Sequence, residues 1–136
     1  MTRAADPSWK SKSRRATRAT ALVLSWRISR DAAASAGLAD ARDAGPVRLE
    51  IRVLSSAGTG ATAALCDGAD RRELPAGGRG RWVRVGELEH LDIPGTLSLT
   101  LRRRAGAVQV LYARSELIRS LGLPGGRAEF EGASLD

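Results

Sequence analysis

Apolar residues recur at every second position in three short stretches of this chain. Leucine, tryptophan and isoleucine do so over residues 22–28, valine, leucine and isoleucine over 47–53, and leucine over 97–101. Successive side chains of a strand point to opposite faces, so a period of two predicts strands with one buried face. Weaker patterns of the same kind predict further strands at Ala63 to Cys66, Trp82 to Leu88 and Ala107 to Tyr112.

Helix and turn signals separate the predicted strands. Ser29 or Asp31 is placed to cap a short helix across residues 32–36, which ends at Gly37. Residues 115–121 fit either a short helix that begins at Ser115 or a final extended edge strand. Glycine and proline predict turns or loops at residues 45–46, 55–62, 67–68, 75–80, 92–95 and 103–106.

These elements predict a mainly β fold, either a small antiparallel sandwich or an open barrel, with one short helix after the first strand. The strand–helix beginning leaves a β-rich α+β fold as an alternative. We divide the chain of 136 residues into a flexible basic arm (1–19), one β-rich domain (20–123) and a loosely ordered acidic tail (124–136).

Charge sets the first residues apart. Of the net charge of +7, +5 lies in residues 1–18, where six cations accompany one acid. Such a segment is expected to be disordered in isolation, and it could track a phosphate backbone while its tryptophan stacks on a base. The predicted polyanion-binding residues are Trp9, Lys10, Lys12, Arg14, Arg15 and Arg18.

Neither a catalytic nor a metal-binding signature withstands inspection. His90 is the only histidine and Cys66 the only cysteine, and nothing in their spacing requires that they meet. We expect His90 in an exposed turn and Cys66 as a small buried apolar residue. The glycine-rich stretches lack the lysine and the helix of a phosphate loop. From these observations together we predict no metal, no cofactor and no catalytic residue.

Arginine and tryptophan offer a different kind of surface. We expect Trp26 in the core with the leucines of its strand, and Trp82 on an exposed face beside Arg84. An aromatic ring and guanidinium groups together are suited to binding peptides, and arginine binds carboxylates with two hydrogen bonds. The predicted peptide or protein site comprises Trp82, Arg84, Arg48, Arg52 and Arg102.

The sequence therefore favours a non-enzymatic binding module that engages a peptide or protein, with acidic residues preferred, through strand addition at a sheet edge. Self-pairing of such an edge would give a homodimer. The alternatives are a nucleic-acid-associated protein that uses residues 1–18 and an accessory enzyme with an unrecognised site. The excess of Arg over Lys is typical of a GC-rich bacterial genome, and one cysteine with no apolar run of membrane-spanning length predicts a cytoplasmic protein without membrane contact.

Overall fold

A computed structural model describes residues 21–54, 60–68, 70–76, 78–123 and 127–135. This part of the chain is mainly β and forms two antiparallel sheets with two short helices. The strands are β1 (Ala21–Ile28), β2 (Val47–Leu54), β3 (Gly60–Asp67), β4 (Asp70–Leu74), β5 (Arg81–Val85), β6 (Leu88–Ile93), β7 (Leu97–Arg104), β8 (Ala107–Arg114) and β9 (Ala128–Leu135). The helices are α1 (Arg30–Ser35) and α2 (Leu117–Ser120).

Hairpins build most of each sheet. Sheet I has the strand order β4-β3-β2-β1-β9, and sheet II has the order β5-β6-β7-β8. The chain crosses from sheet I to sheet II after β4 and returns through α2 to β9, which pairs with β1. The strands β8 and β9 therefore lie close together at one side of the sandwich.

The core lies between the two sheets. Every second residue of β1 and β2 is buried, and the matching inward residues of β6 and β7 cover them from sheet II. This arrangement explains the alternation in the sequence, because each inward side chain is buried while the side chain next to it stays exposed to solvent. The largest fully buried side chains are Leu22, Leu24, Ile28, Leu49, Ile51, Leu91, Ile93, Leu97, Leu99, Leu101 and Val47.

Both helices pack against the core, α1 through Ala32 and Ala33 and α2 through Leu117. Ser29 caps α1 by accepting a hydrogen bond from the N–H of Ala32, as the sequence predicts. The guanidinium of Arg30 then donates to Asp67 at 2.6 Å and to the carbonyl of Gly45 at 3.0 Å, which joins α1 to β3 and to the loop before β2. At α2 the hydroxyl of Ser115 accepts the N–H of Leu117, so residues 115–121 contain a helical turn rather than a strand.

Two of the sequence expectations for sheet II are wrong. The predicted strand from Trp82 to Leu88 is interrupted by a hairpin turn at Gly86, whose φ of +61° is one that glycine adopts without strain. The residues after it form β6, so His90 lies in a strand and not in a turn.

Sheet I also departs from expectation at its edges. The strand β4 is rich in charge and has no apolar alternation, so the pattern did not indicate it. Residues 60–62 belong to β3 instead of a loop, while 55–59 lie outside the described residues. The acidic tail prediction is wrong for residues 128–135, because they form β9, which pairs with β1 from Leu22 to Ile28. Residues 124–126 and 136, like the basic arm, are outside the described part of the chain.

Gly80, just before β5, lies in close contact with β6. A Cβ added at Gly80 would lie 2.5 Å from Ile93 Cγ1 and 2.9 Å from the carbonyl oxygen of Asp92. Neither atom belongs to a freely moving side-chain end, since Ile93 is part of the core and Asp92 contributes backbone. Only glycine fits there without a shift of β6.

We therefore expect Gly80→Ala to destabilise the protein by about 1–3 kcal/mol through overpacking. The matched control is Gly78→Ala, since a Cβ at Gly78 meets no atom within 4 Å. Urea unfolding of both variants measures the difference. Equal stability of the two variants would contradict the close approach.

Candidate functional site at the sheet edges

The five residues of the predicted peptide site do not form one surface. Arg48 and Arg52 lie on the outer face of sheet I, between the buried residues of β2. Arg102 lies on the outer face of sheet II, where its Nη2 donates to Gln109 at 2.9 Å. Trp82 and Arg84 belong to β5, at the edge of sheet II. The sandwich thus separates the members of this group.

The predicted exposure of Trp82 is wrong. Trp82 is half-buried and packs against the core, opposite the buried Leu91 of β6. The neighbouring valines face outward instead, with Val83 48% and Val85 60% exposed. The reason is the register with β6, since residues directly opposite in an antiparallel pair share a face. Trp26 occupies the core as expected, with 3% exposure.

Glu131 organises the outer face of sheet I. Its carboxylate accepts hydrogen bonds from Arg48 Nε at 2.8 Å, from Arg27 Nε at 3.1 Å and from the Ser25 hydroxyl at 3.3 Å. These donors, above all Arg48, lower the pKa of Glu131 below its usual value. A β-bulge between β1 and β9 at Ser25/Trp26 leaves Glu131 without a partner in the register, beside these donors.

Arg71 likewise forms ion pairs across the outer face of sheet I, near β4. It donates from Nη1 to Glu50 at 2.9 Å and from Nε to Glu73 at 3.3 Å. The same Nη1 lies 3.6 Å from Sγ of Cys66, which is half-buried on this outer face and not in the core as expected. Burial raises the pKa of the Cys66 thiol, which favours its protonated form. Most of the charge on this face is therefore used within the sheet.

A buried ion pair lies on the inward side of sheet II. The guanidinium of Arg103 donates twice to Glu89, with both distances 2.8 Å, and the two side chains are 13% and 4% exposed. The sequence places Arg103 in an exposed hairpin, but it belongs to β7 on the side that faces the core. His90 points the other way, where its Nδ1 lies 2.9 Å from the Thr100 hydroxyl. Glu89 and His90 thus point to opposite faces of sheet II and cannot belong to one site.

Four strands end the two sheets, namely β4, β9, β5 and β8. Unpaired backbone groups at such edges pair readily with another chain, and bulges or charges suppress this. Bulges interrupt both β9, at Ser25/Trp26, and β8, at Thr100/Leu101, and these two edges lie close together. The side chains of β4 are bound across the sheet through Arg71. The edge strand β5 carries charge but has no bulge, since its register with β6 is regular.

The β5 edge, as we call residues 79–85, carries a concentration of positive charge that no ion pair within the described residues engages. Arg79, Arg81 and Arg84 are all exposed, and none of them forms an ion pair with another described residue. Their nearest acids in the register are engaged elsewhere, because Asp92 accepts from Ser98 and Glu89 binds Arg103. The site predicted from the sequence did not include Arg79 or Arg81. Arg79 lies in the stretch 75–80, which was expected to be a flexible connector, and Arg81 follows it directly.

Residues 1–18, with the predicted polyanion-binding group, lie outside the described residues. Within the described part, no helix is long and apolar enough to span a membrane, and no group of three metal-ligating side chains is gathered. No protein-family model, curated protein or solved structure matches this chain.

The ion pairs of Glu131 predict a specific pH dependence of stability. Since the pKa of this carboxyl is lower in the folded protein, its stabilising contribution is complete above the unfolded pKa and is lost as the pH falls through the folded pKa. We expect Glu131→Gln to destabilise the protein at pH 7, and the difference from wild type to shrink at about pH 3.

Urea unfolding at both pH values measures this effect. The matched control is Glu129→Gln, an exposed carboxylate on the same strand with no ion pair to any described residue. If Glu131→Gln lowers the free energy of unfolding as much in acid as at neutral pH, the lowered pKa of Glu131 in the folded protein is contradicted.

Proposed function

We propose that this chain is a non-enzymatic binding module that receives an extended, acidic peptide segment along the β5 edge. The single observation that carries the proposal is the set of three exposed arginines without ion-pair partners in the described structure, Arg79, Arg81 and Arg84, along an unbulged edge strand. An added strand would complete the hydrogen bonding of β5 and bring carboxylates to these arginines.

The side chains of β5 specify the order of residues in such a partner. Arg81, Val83 and Val85 share the outer face, and Trp82 and Arg84 share the other side. An acidic residue placed opposite Arg81 and apolar residues placed opposite the two valines would match the outer face. A second acid opposite Arg84 would match the inward side. The preferred ligand is thus a β-forming segment in which acids and apolar residues are interspersed.

Charge favours an acidic partner over a second copy of this chain. Pairing two β5 edges would bring six arginines together without intervening acids, and like charges placed across strands are destabilising. The homodimer expected from edge self-pairing is therefore the less favourable use of this surface. The remaining charged face, on sheet I, is occupied by its own ion pairs through Glu131 and Arg71.

The free thiol fits a reducing compartment. Cys66 is the only cysteine of the chain, so no internal disulfide can form. We propose the bacterial cytoplasm as the setting in which the module meets its partner.

Titration with designed peptides tests the proposal. The probe is a capped peptide with glutamate at the positions opposite Arg81 and Arg84 and valine at the positions opposite Val83 and Val85, and the matched peptide replaces glutamate by lysine. We expect saturable binding of the acidic peptide only, weakened about threefold to tenfold by either Arg81→Glu or Arg84→Glu. The control variant is Arg104→Glu, an exposed arginine outside the β5 edge. Fluorescence anisotropy of the labelled peptides measures the affinities.

Backbone methylation separates strand addition from charge attraction alone. In an added strand, alternate N–H groups of the peptide point to β5, so N-methylation at one set of positions abolishes binding and at the other set preserves it. Equal binding of both methylated peptides, or of the lysine peptide, would exclude this function. A concentration-dependent dimer that Val83→Lys disrupts would replace it by edge self-pairing.

A further inference from the structure

A cavity of about 660 Å³ opens where β8, α2 and β9 meet. It lies at the side of the sandwich where the chain returns from sheet II to sheet I, and no residue that lines it belongs to the β5 edge. Its volume is in the range of pockets that hold small organic ligands, about 300–1,000 Å³. We name it the α2 cavity.

Aromatic and aliphatic side chains form one wall of the α2 cavity. Trp26 and Phe130 contact each other edge to face, with ring centroids 5.2 Å apart and an interplanar angle of 61°. Ile118 of α2 is half-buried and packs against the same core. This arrangement is fixed by the pairing of Trp26 with Phe130 across β1 and β9. A flat apolar body would find preformed contacts on this wall.

Positive charge borders the α2 cavity. Arg114 at the end of β8 and Arg119 in α2 both line it, and both are exposed. Neither arginine forms an ion pair within the described residues. Among the described lining residues Glu116 is the one acid, so within this part of the structure two cations face one anion. An anionic group at the mouth would therefore meet two guanidinium groups that lack a carboxylate partner within the described structure.

From these two features we infer that the α2 cavity binds a small organic anion, in which an aromatic or branched apolar body carries a carboxylate. The apolar body lies against Phe130 and Ile118, and the carboxylate accepts hydrogen bonds from Arg119 and Arg114. The inference is independent of the peptide function, since the two sites share no residue.

Naphthalene-1-acetate and its neutral counterpart naphthalene-1-acetamide test the charge requirement on the full chain. The two probes share the same apolar body, so a difference in affinity reports the carboxylate. We expect the acid to bind about threefold to fivefold tighter than the amide, as partly exposed ion pairs allow. Resonances of Phe130 and of α2 in ¹H–¹⁵N correlation spectra should move, and those of β5 should not.

Two variants locate the site. Arg119→Gln should abolish the preference for the acid over the amide, whereas Arg104→Gln, an exposed arginine away from the cavity, should leave it unchanged. Ala113→Leu fills part of the cavity without a change in charge, and it should weaken both probes. Thermal unfolding checks that each variant is folded.

Three results would overturn the inference. The first is that neither probe moves resonances of the cavity at millimolar concentration. The second is that acid and amide bind equally to the wild-type protein. The third is that Arg104→Gln reduces the preference as much as Arg119→Gln, which would show general attraction to a basic protein rather than a site.

Discussion

The shared apolar layer between the two sheets is the constraint on which the rest of the structure depends. The inward residues of β1 and β2 are buried almost completely, and they meet inward residues of β6 and β7. Each of these aliphatic side chains contributes about 1.5–3 kcal/mol when it leaves water. Few aromatic residues are available, so two closely packed rows of leucine, isoleucine and valine have to exclude water, and this keeps the sheets face to face.

A sandwich closed in this way still leaves its sheets with open edges. Both β8 and β9 are bulged and lie near one another, while Arg71 and Glu73 of β4 are engaged in ion pairs within sheet I. Only β5 combines a regular register with exposed valines and arginines that have no acid partner in the described residues. The candidate binding edge is therefore a consequence of how the other edges are protected.

Charge on this protein has two different uses. On the outer face of sheet I, Glu131 and Arg71 bind across strands, so arginines that look available in the sequence are engaged in the fold. Arg103 goes further, since it is buried with Glu89 on the inward side of sheet II. Among the arginines that form no ion pair within the described structure are those of the β5 edge and of the α2 cavity, where we propose that a ligand supplies the opposite charge.

Period-two alternation determined the mainly β fold, the central strands and the position of Trp26, because burial of one strand face is a local requirement. Cap and glycine signals determined the short helix after β1, because capping is local too, but they left Ser29 and Asp31 as alternative caps. The same pattern could not show which strands are neighbours. Pairing with β6 turned Trp82 inward, pairing with β1 made a strand of residues 128–135, and the separation of the sheets divided Arg48 from Arg84. Only the tertiary structure decided these points, because the face that a residue occupies and the partner of its charge depend on contacts between residues far apart in the chain.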